Sequence, residues 1–334
     1  MNEKLNEPNY NIGRPNPNLN NRDNTNTITN VFSNKITGGD LISIKRIVQH
    51  QNLNLNSCFR ENYYNSSSTN FTYTIPKEIK NITALRLASI EIPNSWYLFS
   101  HKKNNNIFKM IINANNEIFS YDIFLPDGNY DAESLQTYLN TTYFYESGND
   151  NPLKYIVFSI NSQNFKTKFE IVNDGTLPAV YNFSTYFVND INENIMNTFG
   201  WILGFRIGKY LEITGSLISE GLYDARGDRY IYFALVDYQY NNNVSNVICF
   251  DKCLNENDIL AKIPLKNGNL SLIINEDNPL SKTRIYNGPI NIKKIQVKLL
   301  DKFGEVIDLN NMDFSFTLEL ETLYECFNFK NVFA

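Results

Sequence analysis

Histidine is almost missing from this chain: of its 334 residues only His50 and His101 are histidine. Each stands alone, with no cysteine or second histidine at ligand spacing, so neither a zinc site nor a Ser-His-Asp arrangement finds support. Cysteine is nearly as sparse, at Cys58, Cys249, Cys253 and Cys326. Cys249 and Cys253 lack the second pair a structural zinc site needs, and free or buried thiols in a reducing compartment are the plainer reading. Also absent are a phosphate-cradling glycine loop, a Gly-x-Ser-x-Gly elbow and a dinucleotide fingerprint. No apolar run approaches the roughly 20 residues of a membrane span and no signal peptide opens the chain. A soluble protein made in the cytosol is therefore expected. The net charge is −5, and no basic run exceeds Lys102-Lys103 or Lys293-Lys294, which argues against a nucleic-acid coat. No catalytic residue, cofactor or metal is expected. Asp122, Asp127, Glu133, Asp237 and Asp251 could pair as glycosidase acids, but any β protein of this size supplies such carboxylates.

What the chain has in quantity is rings and branched side chains. It holds 23 Phe and 21 Tyr, with hydrophobic content of 42%, and such residues suit pleated, half-buried surfaces better than helices. About one residue in six is Asn, a bias typical of AT-rich coding, so a single Asn carries little information. The organising stretch is 53–95. It contains two alternating segments, 70–75 and 82–92, joined by a polar link containing Pro76. In the second, Ile82, Leu85, Leu87, Ile90 and Ile92 alternate with polar Thr83, Arg86, Ser89 and Glu91, the mark of a half-buried strand that Pro93 ends.

The rest reads as strands added to this one. A first extended element at 41–55 leads into Arg60-Glu61-Asn62-Tyr63-Tyr64. Residues 107–112 and 117–125 form a hairpin about Asn113 to Asn116. After the turn Pro126-Asp127-Gly128-Asn129 comes the clearest helix, 131–141, with Leu135, Tyr138 and Leu139 on one face. A second hairpin spans 155–160 and 165–172, and a short helix is expected near 191–197. Gly200 and Gly204 permit close backbone approach. Residues 229–238 read as a strand buried on both faces. Just before it, Arg226-Gly227-Asp228 matches an adhesion tripeptide but also forms a natural turn. The segments 290–300, 306–309 and 314–320 alternate to the end. Strand after strand with so little helix predicts an all-β fold: an antiparallel jelly-roll or β-sandwich body with one or two short helices. By domain, 1–40 is a polar, Asn- and Pro-rich segment read either as a floppy terminus or as an extended arm that orders against neighbouring subunits. Residues 41–326 form the body, with 173–260 a possible insertion or second lobe, and 327–334 an apolar tail.

Several motifs sit together in a pattern seen elsewhere: 53–64 (Leu53 to Tyr64, including Ser57, Cys58, Phe59, Arg60 and Glu61), 68–71, and Leu87-Ala88-Ser89-Ile90-Glu91-Ile92-Pro93-Asn94-Ser95. Further along come 125–130, Leu203-Gly204-Phe205-Arg206, 299–301, 308–311 and 313–319. This set resembles a family of virion proteins of the nucleocytoplasmic large DNA viruses, the giant viruses of protists and algae. The likeness runs from about residue 42 to 322 and leaves out the arm. The chain departs from the family pattern at Asn56, where an acidic residue is common, and at Cys58, where arginine is common.

The resemblance implies a structural protein without catalysis: a minor capsid protein with a rigid β body, its partners the major capsid protein and other capsid proteins. It implies a place in the virion, assembled in the host cytoplasm, with a homo-oligomer possible and no nucleic acid or membrane span engaged. Residues 1–40 fit an arm ordered between neighbours. Two other readings remain open at this point. One is a vertex, penton-like or surface protein binding host glycans through exposed rings at Trp96-Tyr97 or 238–240. The other is a carbohydrate-active enzyme on a β-sandwich.

Overall fold

The computed structural model describes residues 45–188, 194–239, 245–249, 252–256, 258–265, 271–276 and 283–326. The expected arm at 1–40, the tail at 327–334 and Asp251 lie outside the described residues. The chain divides into two compact units, 1–47 with 324–334 and 48–323, and the second holds both hydrophobic cores. In chain order the elements are β1 (Lys45–Asn56), β2 (Asn70–Pro93), β3 (Ile107–Ala114), β4 (Glu117–Phe124), α1 (Ala132–Thr142), β5 (Ile156–Ile160), β6 (Thr167–Ile171), β7 (Tyr181–Tyr186), α2 (Phe199–Leu203), β8 (Lys209–Ile213) and β9 (Ser216–Ile218). They continue with β10 (Tyr230–Val236), β11 (Ser245–Cys249), β12 (Lys252–Glu256), β13 (Ile259–Pro264), β14 (Leu272–Glu276), β15 (Arg284–Leu300) and β16 (Ser315–Cys326). The body is all-β, antiparallel and jelly-roll-like, with two short α-helices among the described residues, as the patterning predicts.

β2 is the strand around which the larger sheet forms, in the order β1-β16-β2-β15-β10-β13. β16 pairs along one edge of β2, while β15 and then β14 share the other. Its alternation does what period two requires: Ile82, Leu85, Leu87, Ile90 and Ile92 are buried in one core with the inward residues of β10, β15 and β16. The rings of Phe233 on β10 and Phe316 on β16 lie 5.1 Å apart. Two strands intervene between them, so a flat sheet would hold them about 14 Å apart. The sheet therefore curls on itself.

One expectation for β2 needs correction. The segments 70–75 and 82–92 are not separate strands but one, running through Pro76. The missing N–H is tolerated because the ladder to β15 slips there: the register shifts between Ile290, Ile292 and Lys294, and Asn81 takes a left-handed φ of 59°. Bulges are where strands accept proline. Residues 306–309 also differ from expectation. Instead of a strand, only Val306 bridges Leu300, because the Asp301 carboxylate accepts the N–H groups of Phe303 and Glu305 at 2.8 and 3.0 Å and winds the chain into a tight turn.

The second core belongs to residues 99–223. A sheet β4-β3-β7-β8 faces a sheet β5-β6-β9, and Phe169 of β6 meets both Phe108 of β3 and Phe183 of β7. The two expected hairpins, β3/β4 and β5/β6, are both here. α1 starts at an Asp131 cap whose carboxylate accepts the Ser134 N–H at 2.7 Å. The short helix expected at 191–197 is a 3-10 turn over Ile195–Asn197, followed by α2. The stretch 173–260 is divided: Tyr181 to Tyr223 contribute to this core, Ile231 to Leu260 to the first. Gly204 ends α2 at φ 97°, and a Cβ there would lie 2.7 Å from the Gly221 carbonyl oxygen, so close approach is what this glycine permits.

Candidate interaction surface

The loop between β1 and β2 is built around a cation. Arg60 follows a 3-10 turn, Ser57–Phe59, whose first N–H groups are met by the Asn56 side chain at Cys58 N, 2.9 Å. An acidic residue at 56 could supply the same cap. The Arg60 side chain is only 7% exposed. Its Nη1 donates to Asp313 Oδ1 at 2.8 Å and to the Ser57 carbonyl at 2.9 Å. Its Nε and Nη2 reach the carbonyls of Ser66 and Tyr63, both at 3.3 Å. The guanidinium also lies 3.9 Å from the centroid of the Tyr63 ring. A planar fork with five donors can tie both limbs of a loop in this way, and a lysine ammonium cannot.

Other contacts fix the same loop. The Ser57 hydroxyl donates to Asp313 Oδ1 at 2.7 Å and accepts the Phe314 N–H at 3.0 Å. Ser66 Oγ donates to the Glu61 and Asn62 carbonyls. Glu61 Oε1 accepts the Thr74 N–H at 2.7 Å, and hydrogen bonding to Thr74 holds this carboxyl below the usual range. The loop so held presents Phe59 at 73%, Tyr63 at 43% and Tyr64 at 96% exposure. Rings in water on a fixed backbone lose little entropy on binding, which is why aromatic anchors dominate interfaces. Burying one such ring is worth on the order of 2–3 kcal/mol.

The motifs behind the family resemblance meet in this part of the molecule. Residues 53–64 and 313–319 join through Ser57, Arg60, Asp313 and Phe314. Thr69 Oγ1 donates to the Ile307 carbonyl and Leu299 N donates to Thr69 O. Ser95 Oγ donates to Leu309 O at 2.7 Å, while Asn310 Nδ2 donates to Ser95 O at 2.6 Å. The motif at 125–130 does separate work: Asn129 accepts Leu98 N and donates to Trp96 O, and Asp127 accepts His101 N. Residues 203–206 lie at the end of α2, where Arg206 stacks 4.0 Å from the Trp201 ring.

The remaining sequence candidates are scattered. His50 bonds Glu319 at 3.0 Å, and His101 is exposed on a 3-10 turn. Of the acids, Asp237 is buried with Arg284 and Tyr286, Asp127 accepts the His101 N–H and the Ser100 and Asn106 side chains, Asp122 faces Lys109 across β3 and β4, and Glu133 lies in the first turn of α1. The tripeptide at 226–228 is tied down: Arg226 pairs with Asp224 at 3.0 Å, and Asp228, 11% exposed, pairs with Lys302 at 3.2 Å. Trp96 is buried at 7%, whereas Tyr97 and Tyr238 are 38% and 55% exposed. Among the described residues no three His, Cys, Asp or Glu side chains gather as a metal ion would require. No described helix is long and apolar enough to cross a membrane.

Sequence reasoning passed over Arg284. This residue is 1% exposed, bonds Asp237 Oδ2 at 2.7 Å and the Leu235 and Asp258 carbonyls, and shares Asp237 with the Tyr286 hydroxyl. Burial first, then the Asp237 charge, pushes the Tyr286 hydroxyl far above its ordinary range. Burial likewise raises the Asp258 carboxyl. The cluster joins the start of β15 to the end of β10 and to Asp258, just before β13.

No protein-family profile matches the chain, and no curated protein matches it. Among solved structures, the crystal structure of a mavirus penton protein is similar, with 13% identity and a TM-score of 0.43 over 82% of this chain and 99% of that one.

Proposed function

We propose that this chain is a structural, non-catalytic protein of a virus particle, a minor capsid protein that contacts the major capsid lattice through its β body and its N-terminal segment. One observation carries the reading. The residues that resemble giant-virus virion proteins at 53–64 and 313–319, far apart in the chain, converge on Arg60 and together hold an exposed aromatic loop. The 313–319 half buries Phe314, Phe316 and Leu318, whereas the 53–64 half leaves Phe59 and Tyr64 in water, which suits a partner surface.

Cross-linking mass spectrometry on intact purified particles tests it. The reading expects the chain in the particle, with reproducible links from Lys4, Lys35 and the lysines near the loop, such as Lys294, to the major capsid protein. Links confined to surface glycoproteins would favour a vertex or receptor-binding role, and absence from the particle would overturn both.

A further inference from the structure

Four strands of the second core lie at sheet edges, β4, β8, β5 and β9, and two of them, β5 and β4, are treated differently. The free edge of β5 is met by α1 and the segment after it. Asn140 donates to Phe158 O at 2.8 Å and accepts Phe158 N at 2.9 Å, Gln136 accepts Ile160 N at 3.1 Å, and Tyr145 N donates to Ile156 O at 3.0 Å. The edge of β4 receives the same device at one residue only. The Tyr143 hydroxyl accepts Phe124 N at 3.3 Å and donates to Phe124 O at 3.0 Å.

The hairpin geometry says which other groups are left. Asn115 and Asn116 have φ of 50° and 70°, and Ala114 faces Glu117, a two-residue turn of the type that closes on a hydrogen-bonded pair. Counting from it, Glu117, Phe119, Tyr121 and Ile123 bond β3, while Ile118, Ser120, Asp122 and Phe124 turn their N–H and C=O groups outward. Among the described residues nothing meets those of Ile118, Ser120 and Asp122. The usual guards are missing too: β4 has no lysine, proline, glycine or bulge across its uninterrupted register with β3. Its one outward charge, Asp122, faces Lys109 within the chain. Natural edge strands without such guards pair with another strand.

We propose that β4 is a self-association edge, pairing antiparallel with β4 of a second copy about a two-fold axis at Ser120. The free stretch is self-complementary. With Ser120 opposite its own copy, Ile118 faces Asp122, and every outward group of the three residues is satisfied. The exposed side chains also match: Ile118, 75% exposed, becomes the diagonal neighbour of Phe124, 43% exposed, and this happens twice,. Both rings and branches lie at opposite ends of one strand, so only a two-fold copy brings them together in this register. The bonded Phe124 and the turn at Asn116 bound the pairing on either side. The inference does not depend on the virion reading.

Sedimentation velocity over a concentration series, on the full chain, is the first measurement, and a dimer in equilibrium with monomer is expected. Ser120→Pro removes an N–H that no β3 partner uses, so the dimer is lost while the far-ultraviolet spectrum and melting transition stay. Ser120→Cys gives an independent reading. Hydrogen-bonded antiparallel pairs have Cα atoms about 5.5 Å apart, within reach of a disulfide, so this variant forms a covalent dimer under mild oxidation that the parent chain does not. A monomer at every concentration, or a dimer that survives Ser120→Pro and gives no Ser120→Cys cross-link, overturns the proposal.

Discussion

Arg60 does at the scale of one residue what a loop of its size cannot do with backbone alone. Its guanidinium joins Ser57, Tyr63, Ser66 and Asp313, and with 7% exposure its charge depends on those acceptors. Arg60→Ala should lower stability by on the order of 2 kcal/mol or more, since hydrogen bonds to charged groups are worth roughly that each. Arg60→Lys should recover little, because one ammonium cannot span the same acceptors. Urea denaturation of the three proteins checks both. Arg284 is the stricter case, for both partners are buried, at 1% and 2% exposure. Arg284→Met leaves Asp237 uncompensated and should cost about 3–5 kcal/mol. Arg284→Met combined with Asp237→Leu should recover most of that in the same assay. Neither role was legible in the sequence. Arg60 draws on three carbonyls and on an aspartate 253 positions away, and Arg284 occupies a strand position that alternation alone would leave to an apolar side chain.

Elements were legible where local chemistry decides them. The β3/β4 hairpin follows from Asn115-Asn116, which tolerate the left-handed conformation the turn needs,. α1 follows from Asp131 and the face of Leu135, Tyr138 and Leu139. The continuity of β2 through Pro76 was not legible, because the bulges that absorb it depend on β15, more than two hundred residues downstream. The Asp131 cap carries a testable pH dependence. Its carboxyl is held below the ordinary range by the Ser134 hydroxyl and then by the Ser134 N–H. A depressed carboxyl contributes stability that is present above its unfolded pKa and is lost as pH falls through the folded one. Asp131→Ala should therefore cost about 1 kcal/mol at neutral pH, less toward strong acid. Asp131→Asn, a neutral cap, should keep most of the stability and flatten that acid dependence. Thermal melts from neutral to acid pH distinguish them.

At the scale of the whole molecule, the unit 48–323 holds two β cores, a curled sheet about β2 and a phenylalanine-filled sandwich of residues 99–223. All-β architecture was legible from strand spacing. The exposed loop at 57–66 was not, since nothing in the chain pairs Ser57 with Asp313 except folding. At this scale the loop divides stability from function. Arg60 holds it, whereas Phe59 and Tyr64 are exposed and Tyr64 meets the Tyr63 ring edge-on, so Phe59→Ser with Tyr64→Ser should leave the stability within about 1 kcal/mol of the parent. The same double variant gives the most direct test of the account: quantify its incorporation into purified particles against the parent chain, with both expressed equally during assembly. The account predicts that the parent is a regular particle component and that the folded variant is depleted at least tenfold, the effect of about 1.4 kcal/mol of lost contact. Incorporation of the variant at the parent's level, or a parent chain absent from the particle, would contradict it.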